Sequence, residues 1–88
     1  MAKSYSLKII TPQEVAFEGP VISVVAPAQE GYVGVLADHA PFVTTLKPGS
    51  LTIKTALEEF QFRIGKGFFE VLKNQAVLLT EKAVVSNP

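Results

Sequence analysis

The residues in this sequence with the clearest chemical potential are Asp38 and His39, which stand side by side. His39 is the only histidine, and an imidazole oriented by a carboxylate can act as a general base. Neighbouring residues on an extended chain point to opposite faces, however, so Asp38 cannot orient the His39 ring. A nucleophile such as Thr44 or Ser50 would have to come from elsewhere, and no nucleophile-elbow motif is present. The sequence therefore predicts no catalytic residue, and it favours a histidine at a turn beside Pro41 that donates to the backbone.

Metal and phosphate sites are not predicted either. One histidine, scattered carboxylates and no cysteine supply too few ligands for a metal ion. Gly31 and Gly34 have the spacing G-x-x-G, but no Gly-Lys-Ser/Thr follows them and no helix begins there to supply aligned amides. We expect Gly31 to provide a positive φ in a turn, and Gly34 to permit a bulge or a close backbone approach. The sequence thus predicts no metal and no cofactor.

Size and composition indicate a single domain, residues 1–88. Hydrophobic residues make up 48% of the chain and charged residues 18%, which predicts a dense core with apolar surface left over for a partner. The formal net charge is zero, which argues against nucleic acid as a partner because phosphate binding needs an excess of Lys and Arg. No run of about 20 apolar residues is present, and the N-terminus has no apolar signal run, so we expect neither direct membrane insertion nor a signal peptide.

The segments that would position these residues have apolar and polar side chains in alternation. This period of two is typical of half-buried strands. Tyr5, Leu7 and Ile9 show this pattern, as do Phe60 and Phe62. The predicted strands lie near residues 4–10, 14–18, 21–26, 32–36, 42–46, 50–55, 59–64, 68–73 and 76–80. Such strands predict an all-β fold, a flattened antiparallel sandwich or barrel of about nine to ten short strands. A frayed end is expected at residues 86–88.

Glycine and proline mark the predicted turns and strand ends. They lie at Thr11-Pro12, Gly19-Pro20, Pro27, Gly31, Pro41, Pro48-Gly49-Ser50 and Gly65-Lys66-Gly67. In the turn that starts at Lys47, Pro48 presets φ at the first central position, and Gly49 is expected to accept a positive φ. Phe68 and Phe69 are expected to point to opposite faces, one into the core and the other to the surface as a candidate anchor for a partner.

The most specific pattern is a run of short motifs between residues 30 and 49. It combines Glu-Gly, a second glycine, His-Ala-Pro and Leu-Lys-Pro-Gly at fixed spacing. This pattern resembles the epsilon subunit of the rotary F-type ATP synthase (delta in mitochondria), which has approximately EGxxGIxxxHAPxxxxLKPG, with Val35 here in place of isoleucine. A second matching block covers residues 65–71 and 76–83, where Thr80 stands at a place that is often alanine in the family. The resemblance extends from Tyr5 to about Val85.

The resemblance implies a rotor subunit with no catalytic residue, no cofactor and no small-molecule substrate. Such a subunit binds the gamma subunit with one sheet face and the c-ring of the membrane sector with its lower loops. Matched positions place His39, Ala40 and Thr44 near gamma. They place Glu30, Gly31 and Tyr32 in the loop that faces the c-ring. The residues implied to shape the fold are Gly34, Pro41, Lys47, Pro48, Gly49, Gly67 and Glu70.

Location and sequence differences also follow from the resemblance. It implies a peripheral membrane protein on the cytoplasmic face of a bacterial inner membrane, with the stromal face of the thylakoid as the alternative. Many members have an acidic residue where this chain has Tyr32, so we expect Tyr32 to contribute area and a hydroxyl hydrogen bond, with Glu30 as the nearby acid. Typical members continue into a C-terminal helical hairpin that can block ATP hydrolysis. This sequence ends at Pro88, so we expect a form without that hairpin and its inhibition, whether naturally short or truncated.

Other small β-sandwich proteins remain as alternatives. A biotinyl or lipoyl carrier domain presents a lysine on an exposed hairpin, and Lys47 stands in a predicted turn. Carrier domains have that lysine in Met-Lys-Met or Asp-Lys-Ala contexts, and neither occurs here. A sandwich that binds a small ligand is the other alternative, because fold alone does not determine function.

Overall fold

The computed structural model describes residues 3–86, and within this range the chain forms ten β-strands and no helix. The strands are β1 (Tyr5–Ile10), β2 (Val15–Val21), β3 (Ser23–Ala28), β4 (Gly31–Leu36), β5 (Phe42–Leu46), β6 (Gly49–Lys54), β7 (Glu59–Ile64), β8 (Gly67–Leu72), β9 (Gln75–Thr80) and β10 (Ala83–Val85). The predicted all-β class and strand number are confirmed. Ser86 donates a backbone hydrogen bond of 2.8 Å to Gln61, and the rest of the predicted frayed end, residues 87–88, lies outside the described residues.

The strands form one sheet in the order β10-β7-β6-β3-β5-β8-β9-β1-β2, with β4 paired to β3. The sheet folds over on itself where Ala28 of β3 pairs with Leu46 of β5. One half contains β10, β7, β6, β3 and β4, and the other contains β5, β8, β9, β1 and β2. The apolar positions of the alternating strands meet between the halves. The buried core consists of Tyr5, Leu7, Ile9, Val21, Val24, Ala26, Val35, Leu46, Leu51, Ile53, Phe62, Ile64, Phe69, Val71, Ala76 and Leu78.

Three features of the strands differ from the sequence prediction. β1 runs parallel to β9, whereas the sheet was expected to be antiparallel throughout. Gly19 and Pro20 lie inside β2 and not in a turn. β2 pairs only with β1 along its length, and proline is tolerated on such an edge because its missing N–H faces outward. β10 lies beyond the last predicted strand, and its three residues pair with β7.

Strand pairing divides the connections into two groups at opposite ends of the strands. The Glu30 end consists of the connections at residues 11–14, 29–30, 47–48, 65–66 and 81–82. The His39 end consists of the connections at residues 22, 37–41, 55–58 and 73–74. The molecule measures 32 × 28 × 23 Å along its principal axes, so these ends are separate surfaces of one small body.

Candidate docking surfaces

The His39 end contains a loop that is tied to a distant turn by side chains. The Asp38 backbone N–H donates to Oδ1 of Asn74 at 2.6 Å, and Nδ2 of Asn74 donates to Oδ1 of Asp38 at 2.9 Å. Nζ of Lys3 donates to the other carboxylate oxygen of Asp38 at 2.6 Å. The hydrogen bond from Lys3, then that from Asn74 and the Lys3 charge, hold the pKa of the Asp38 carboxyl below its ordinary value. The same contact raises the pKa of Lys3.

His39 itself is exposed and rests on an aromatic side chain. Its ring centroid lies 4.9 Å from that of Phe42, which in turn meets the buried Phe69 edge-on at 5.8 Å. Nδ1 of His39 lies 2.7 Å from the Ala40 carbonyl oxygen, and the tautomer protonated at Nδ1 donates to it. The predicted histidine at a turn with a backbone partner is therefore confirmed. Asp38 has its carboxylate contacts with Lys3 and Asn74, as expected for a residue that does not orient the imidazole.

Thr44, which was grouped with His39 and Ala40, lies apart from them. His39 and Ala40 share the exposed loop, whereas Thr44 is half-buried in the middle of β5. Thr44 pairs with the fully buried Phe69, so its side chain is on the inner side of the sheet. Its neighbour Val43 points outward and is 67% exposed. Sequence alternation could have indicated this, because Leu46, two residues after Thr44, is a core residue.

The Glu30 end brings the predicted loop residues together. Gln29 and Glu30 form the turn between β3 and β4, and Gly31 follows with φ of 130°, which confirms the expected positive φ. Glu30, Gly31 and Tyr32 are all exposed. The Tyr32 hydroxyl approaches Gly49 on the next connection of the same end, 3.6 Å from where a Cβ on Gly49 would lie. This end therefore presents a carboxylate and a phenol on one compact surface.

Lys47, Pro48 and Gly49 connect β5 to β6 at the same end, but Gly49 does not have the predicted positive φ. Gly49 is the first residue of β6, and a Cβ there would lie 3.0 Å from Cβ of Pro27. Close packing against Pro27, and not a positive φ, therefore explains why this position is glycine. Gly34 also differs from its prediction, because it pairs in regular register with Val25 and a Cβ would have room, 4.0 Å from the nearest Val25 atom.

Gly67, the first residue of β8, has a clear packing requirement. A Cβ on Gly67 would collide with the carbonyl oxygen of Leu79 on β9. Glu70 lies further along β8 on its outer side, exposed between Val43 of β5 and Val77 of β9. Pro41 is exposed immediately before β5, after the loop that carries His39.

The outer side of the half that contains β8 forms an apolar face that the sequence analysis largely missed. One of Phe68 and Phe69 was expected to be a surface anchor, and Phe68 is 55% exposed while Phe69 is fully buried. Its cross-strand neighbours Thr45 and Leu79, and Ile10 beside Leu79, extend the surface across the strands. The outward apolar residues of this face are Ile10, Val15, Val43, Phe68, Leu72, Val77 and Leu79.

On the other half, the two neighbouring strands β6 and β7 have a polar outer side. Their outward positions are Ser50, Thr52, Lys54, Glu59, Gln61 and Arg63. Comparing outward positions strand by strand could have identified the apolar face, since the two halves differ in their outward residues. Exposed apolar residues also lie on this side, namely Val25 on β3, Leu36 on β4 and Val84 on β10.

A further apolar groove lies at the His39 end, where the 55–58 connection faces the edge strand β2. It has a volume of about 630 Å³ and is lined mainly by apolar side chains, among them Phe17, Pro20 and Phe60. Leu57 at its rim is 93% exposed.

Among the described residues, no group of three or more His, Asp or Glu is placed to hold a metal ion. Residues 3–86 also contain no helix that could cross a bilayer.

Comparison with known proteins relates this sandwich to one family. Residues 4–86 match the family described as the ATP synthase delta/epsilon chain, β-sandwich domain. The ATP synthase epsilon chain of Chlorobaculum tepidum is 43% identical over 81 residues, which cover 91% of this chain and 92% of that relative. The ATP synthase epsilon chain of Desulforamulus reducens is 40% identical over 83 residues, which cover 94% of this chain and 63% of that relative.

Solved structures have the same fold. A chain in the cryo-EM structure of the Euglena gracilis mitochondrial ATP synthase, with OSCP, F1 and c-ring, superimposes with a TM-score of 0.87 at 27% identity. The superposition covers 97% of this chain and 56% of that chain. A carrier domain or another small binding sandwich is not favoured by these relatives. The chain belongs to the ATP synthase delta/epsilon chain family, whose β-sandwich domain spans residues 4–86 here.

Proposed function

We propose that this chain is a subunit of the central stalk of a rotary F-type ATP synthase, where it joins the gamma subunit to the membrane c-ring. The observation that carries the proposal is an exposed apolar face on a sheet that also bears two groups of loops at opposite ends. A subunit that transmits torque needs separate contact surfaces on a body that does not deform. The catalytic nucleotide sites belong to other subunits, and this chain contributes no catalytic residue.

The apolar face is the surface that we assign to gamma. Lasting interfaces are larger and more apolar than transient ones, and an interface that must not slip belongs to the lasting kind. Phe68 is the aromatic anchor of this face, since burying a side chain of this size contributes about 1.5–3 kcal/mol. Val43 extends the face along β5 towards the loop of His39 and Ala40. We assign these two loop residues to the rim of the same interface. Thr44 points inward, so we assign it to the edge of the interface through its backbone and through its outward neighbour Val43.

The Glu30 end is the surface that we assign to the c-ring. Glu30, Gly31 and Tyr32 are exposed there, at the opposite end of the strands from His39. Tyr32 offers an apolar ring with a hydrogen-bonding hydroxyl, and Glu30 offers a negative charge to the polar loops of a partner.

Membrane association follows from the assembly. The chain is a peripheral subunit, held at the membrane by the embedded complex to which it binds. We propose that it lies on the cytoplasmic face of a bacterial inner membrane, in keeping with its bacterial relatives from Chlorobaculum tepidum and Desulforamulus reducens. The stromal face of a thylakoid is the alternative position.

Binding to gamma tests the proposal. The 88-residue chain is mixed with a gamma-containing catalytic head from which the resident subunit has been removed. The stoichiometry, the dissociation constant and the ATPase rate are then measured. We expect tight one-to-one binding with little change in the ATPase rate, because residues 3–86 contain no helix that could extend along gamma. Failure to bind gamma at low salt would contradict the proposal.

A further inference from the structure

The loop that carries His39 and Ala40 is exposed, and its local contacts are those of the His39 ring with the Ala40 carbonyl and with Phe42. It spans residues 37–41 between β4 and β5, and both named residues are exposed. Asp38 has φ of 66°, a left-handed conformation that aspartate adopts more readily than most residues but at some cost. A loop of this kind needs contacts from outside to remain in one conformation.

Asn74 supplies those contacts. Its side chain accepts from the Asp38 N–H at 2.6 Å and donates to the Asp38 carboxylate at 2.9 Å, so the two residues are joined by a reciprocal pair of hydrogen bonds. The residues are 36 positions apart in sequence. The loop is thereby fixed to the turn between β8 and β9, which is made of Lys73 and Asn74.

That turn is a firm anchor. Lys73 and Asn74 have φ of 51° and 58°, the left-handed pair expected in the tight turns that suit twisted hairpins. The carbonyl oxygen of Asn74 also accepts from the Ser6 N–H at 3.1 Å, which ties the turn to β1. Asn74 therefore contacts the neighbouring strand through its backbone and the His39 loop through its side chain. Lys3 holds the remaining carboxylate oxygen of Asp38 at 2.6 Å.

We propose that Asp38 and Asn74 are positioning residues for gamma binding, which hold His39 and Ala40 in the bound conformation before gamma arrives. The inference rests on the proposed function, since it deepens the assignment of this loop to the gamma interface. Ordering a loop in advance strengthens binding because the entropy of ordering is not lost at association. His39 is the residue presented, and its ring already rests on Phe42 at 4.9 Å.

An exchange of the two side chains tests the pair. Asn74→Asp replaces the amide donor by an acceptor and sets a second carboxylate against that of Asp38. The double variant Asp38→Asn/Asn74→Asp exchanges amide and carboxylate, so the reciprocal hydrogen bonds can form again. Gln13→Glu is the matched control, because it adds the same charge at an exposed position in the 11–14 connection, at the opposite end of the strands from Asn74. If Asn74→Asp does not fold, Asn74→Gly keeps the left-handed backbone without the side chain.

Two readouts are needed. Amide hydrogen exchange at residues 38–40 is measured in the free chain, and the dissociation constant is measured for the gamma-containing head. We expect Asn74→Asp to speed the exchange and weaken the binding about tenfold, the effect of one to two lost hydrogen bonds. The double variant and Gln13→Glu should stay within about twofold of the parent chain.

Each other outcome overturns part of the inference. Unchanged exchange in Asn74→Asp would show that the side chain does not hold the loop. Faster exchange with unchanged affinity would show that the loop conformation does not matter for binding. A double variant as weak as Asn74→Asp would exclude the reciprocal pair as the cause. If the parent chain itself does not bind gamma, the proposed function fails, and the exchange rates still decide whether Asp38 and Asn74 hold the loop.

Discussion

The side-chain hydroxyl of Thr80 lies 3.0 Å from the backbone carbonyl oxygen of Gly65 and donates a hydrogen bond to it in the protein interior. The carbonyl oxygens of Lys66 and Lys82 also lie within 3.3 Å of this hydroxyl. A hydroxyl has a single hydrogen, so these three acceptors share one donor. Thr80 is 5% exposed, and its contacts tie the β7–β8 connection to the β9–β10 connection at the Glu30 end.

Removing this hydroxyl should destabilise the fold. Thr80→Val keeps the side-chain shape but leaves the Gly65 carbonyl without its donor, so we expect the free energy of unfolding to fall by about 1–3 kcal/mol. Thr80→Ser keeps the hydroxyl and should lose about 1 kcal/mol or less, from one buried methyl group. Urea unfolding of the three chains measures both effects. A valine variant as stable as the parent would show that the shared hydrogen bond does not contribute.

Two glycines of the sheet should respond differently to alanine. Gly67→Ala brings a Cβ into the carbonyl oxygen of Leu79, and we expect a loss of about 1–3 kcal/mol because the strands must move apart. Gly34→Ala meets only Val25 at an ordinary contact distance of 4.0 Å. It should be neutral or stabilising by up to about 1 kcal/mol, since alanine is less flexible than glycine in the unfolded chain. Equal midpoints of urea unfolding for the two variants would contradict this distinction.

The Tyr5 hydroxyl predicts how stability depends on alkaline pH. It donates to the Val35 carbonyl oxygen at 2.7 Å, and burial raises the pKa of Tyr5. The folded state therefore favours the neutral phenol. The resulting stability is fully present below the ordinary tyrosine pKa of about 10, and it is lost as pH rises through the raised pKa.

Tyr5→Phe isolates this contribution. At about pH 8 we expect the variant to be about 1 kcal/mol less stable than the parent, because the buried carbonyl loses its donor. At about pH 11 the difference should shrink or reverse, because the unfolded parent ionises and phenylalanine does not. Urea unfolding at both pH values measures the difference. A gap that is constant or grows with pH would contradict the raised pKa.

Phe68 should be important for partner binding and unimportant for folding. We expect Phe68→Ala to weaken binding to gamma about tenfold or more, because the aromatic anchor is lost from the apolar face. Val25→Ala is the matched control, since Val25 is 37% exposed on the outer side of the other half of the sheet. Titration of the gamma-containing head with each variant gives the dissociation constants. Equal losses for the two variants would contradict the assignment of the face.

Local patterns in the sequence predicted much of this fold. Strict alternation separated Phe68 from Phe69 correctly, because the side-chain period of a strand is a local property. The role of Gly49 was not predictable in the same way. Gly49 is required because it packs against Pro27, and Pro27 lies on β3, which is close to Gly49 only in the folded chain. The parallel pairing of β1 with β9 was missed for the same reason, since alternation does not say which strands are neighbours.

The candidate surfaces were predictable in part. Motif spacing identified His39 and Glu30 as loop residues, and the structure places them at opposite ends of the sheet. It did not identify Asn74, whose partner Asp38 is 36 positions away. Proximity in the fold, and not a local signal, creates that pair. Thr44 was assigned from its motif position, and its inward orientation follows from its pairing with Phe69.

We propose that this chain mechanically joins gamma to the c-ring, and ATP-driven ion pumping is the measurement that examines this role. Membranes that contain the complex without its resident subunit are reconstituted with and without the 88-residue chain, and ATP-driven ion uptake is measured against ATP hydrolysis. We expect the chain to restore both the attachment of the catalytic head and the number of ions pumped per ATP hydrolysed. Hydrolysis with no gain in attachment or pumping, at chain concentrations that saturate gamma, would contradict it.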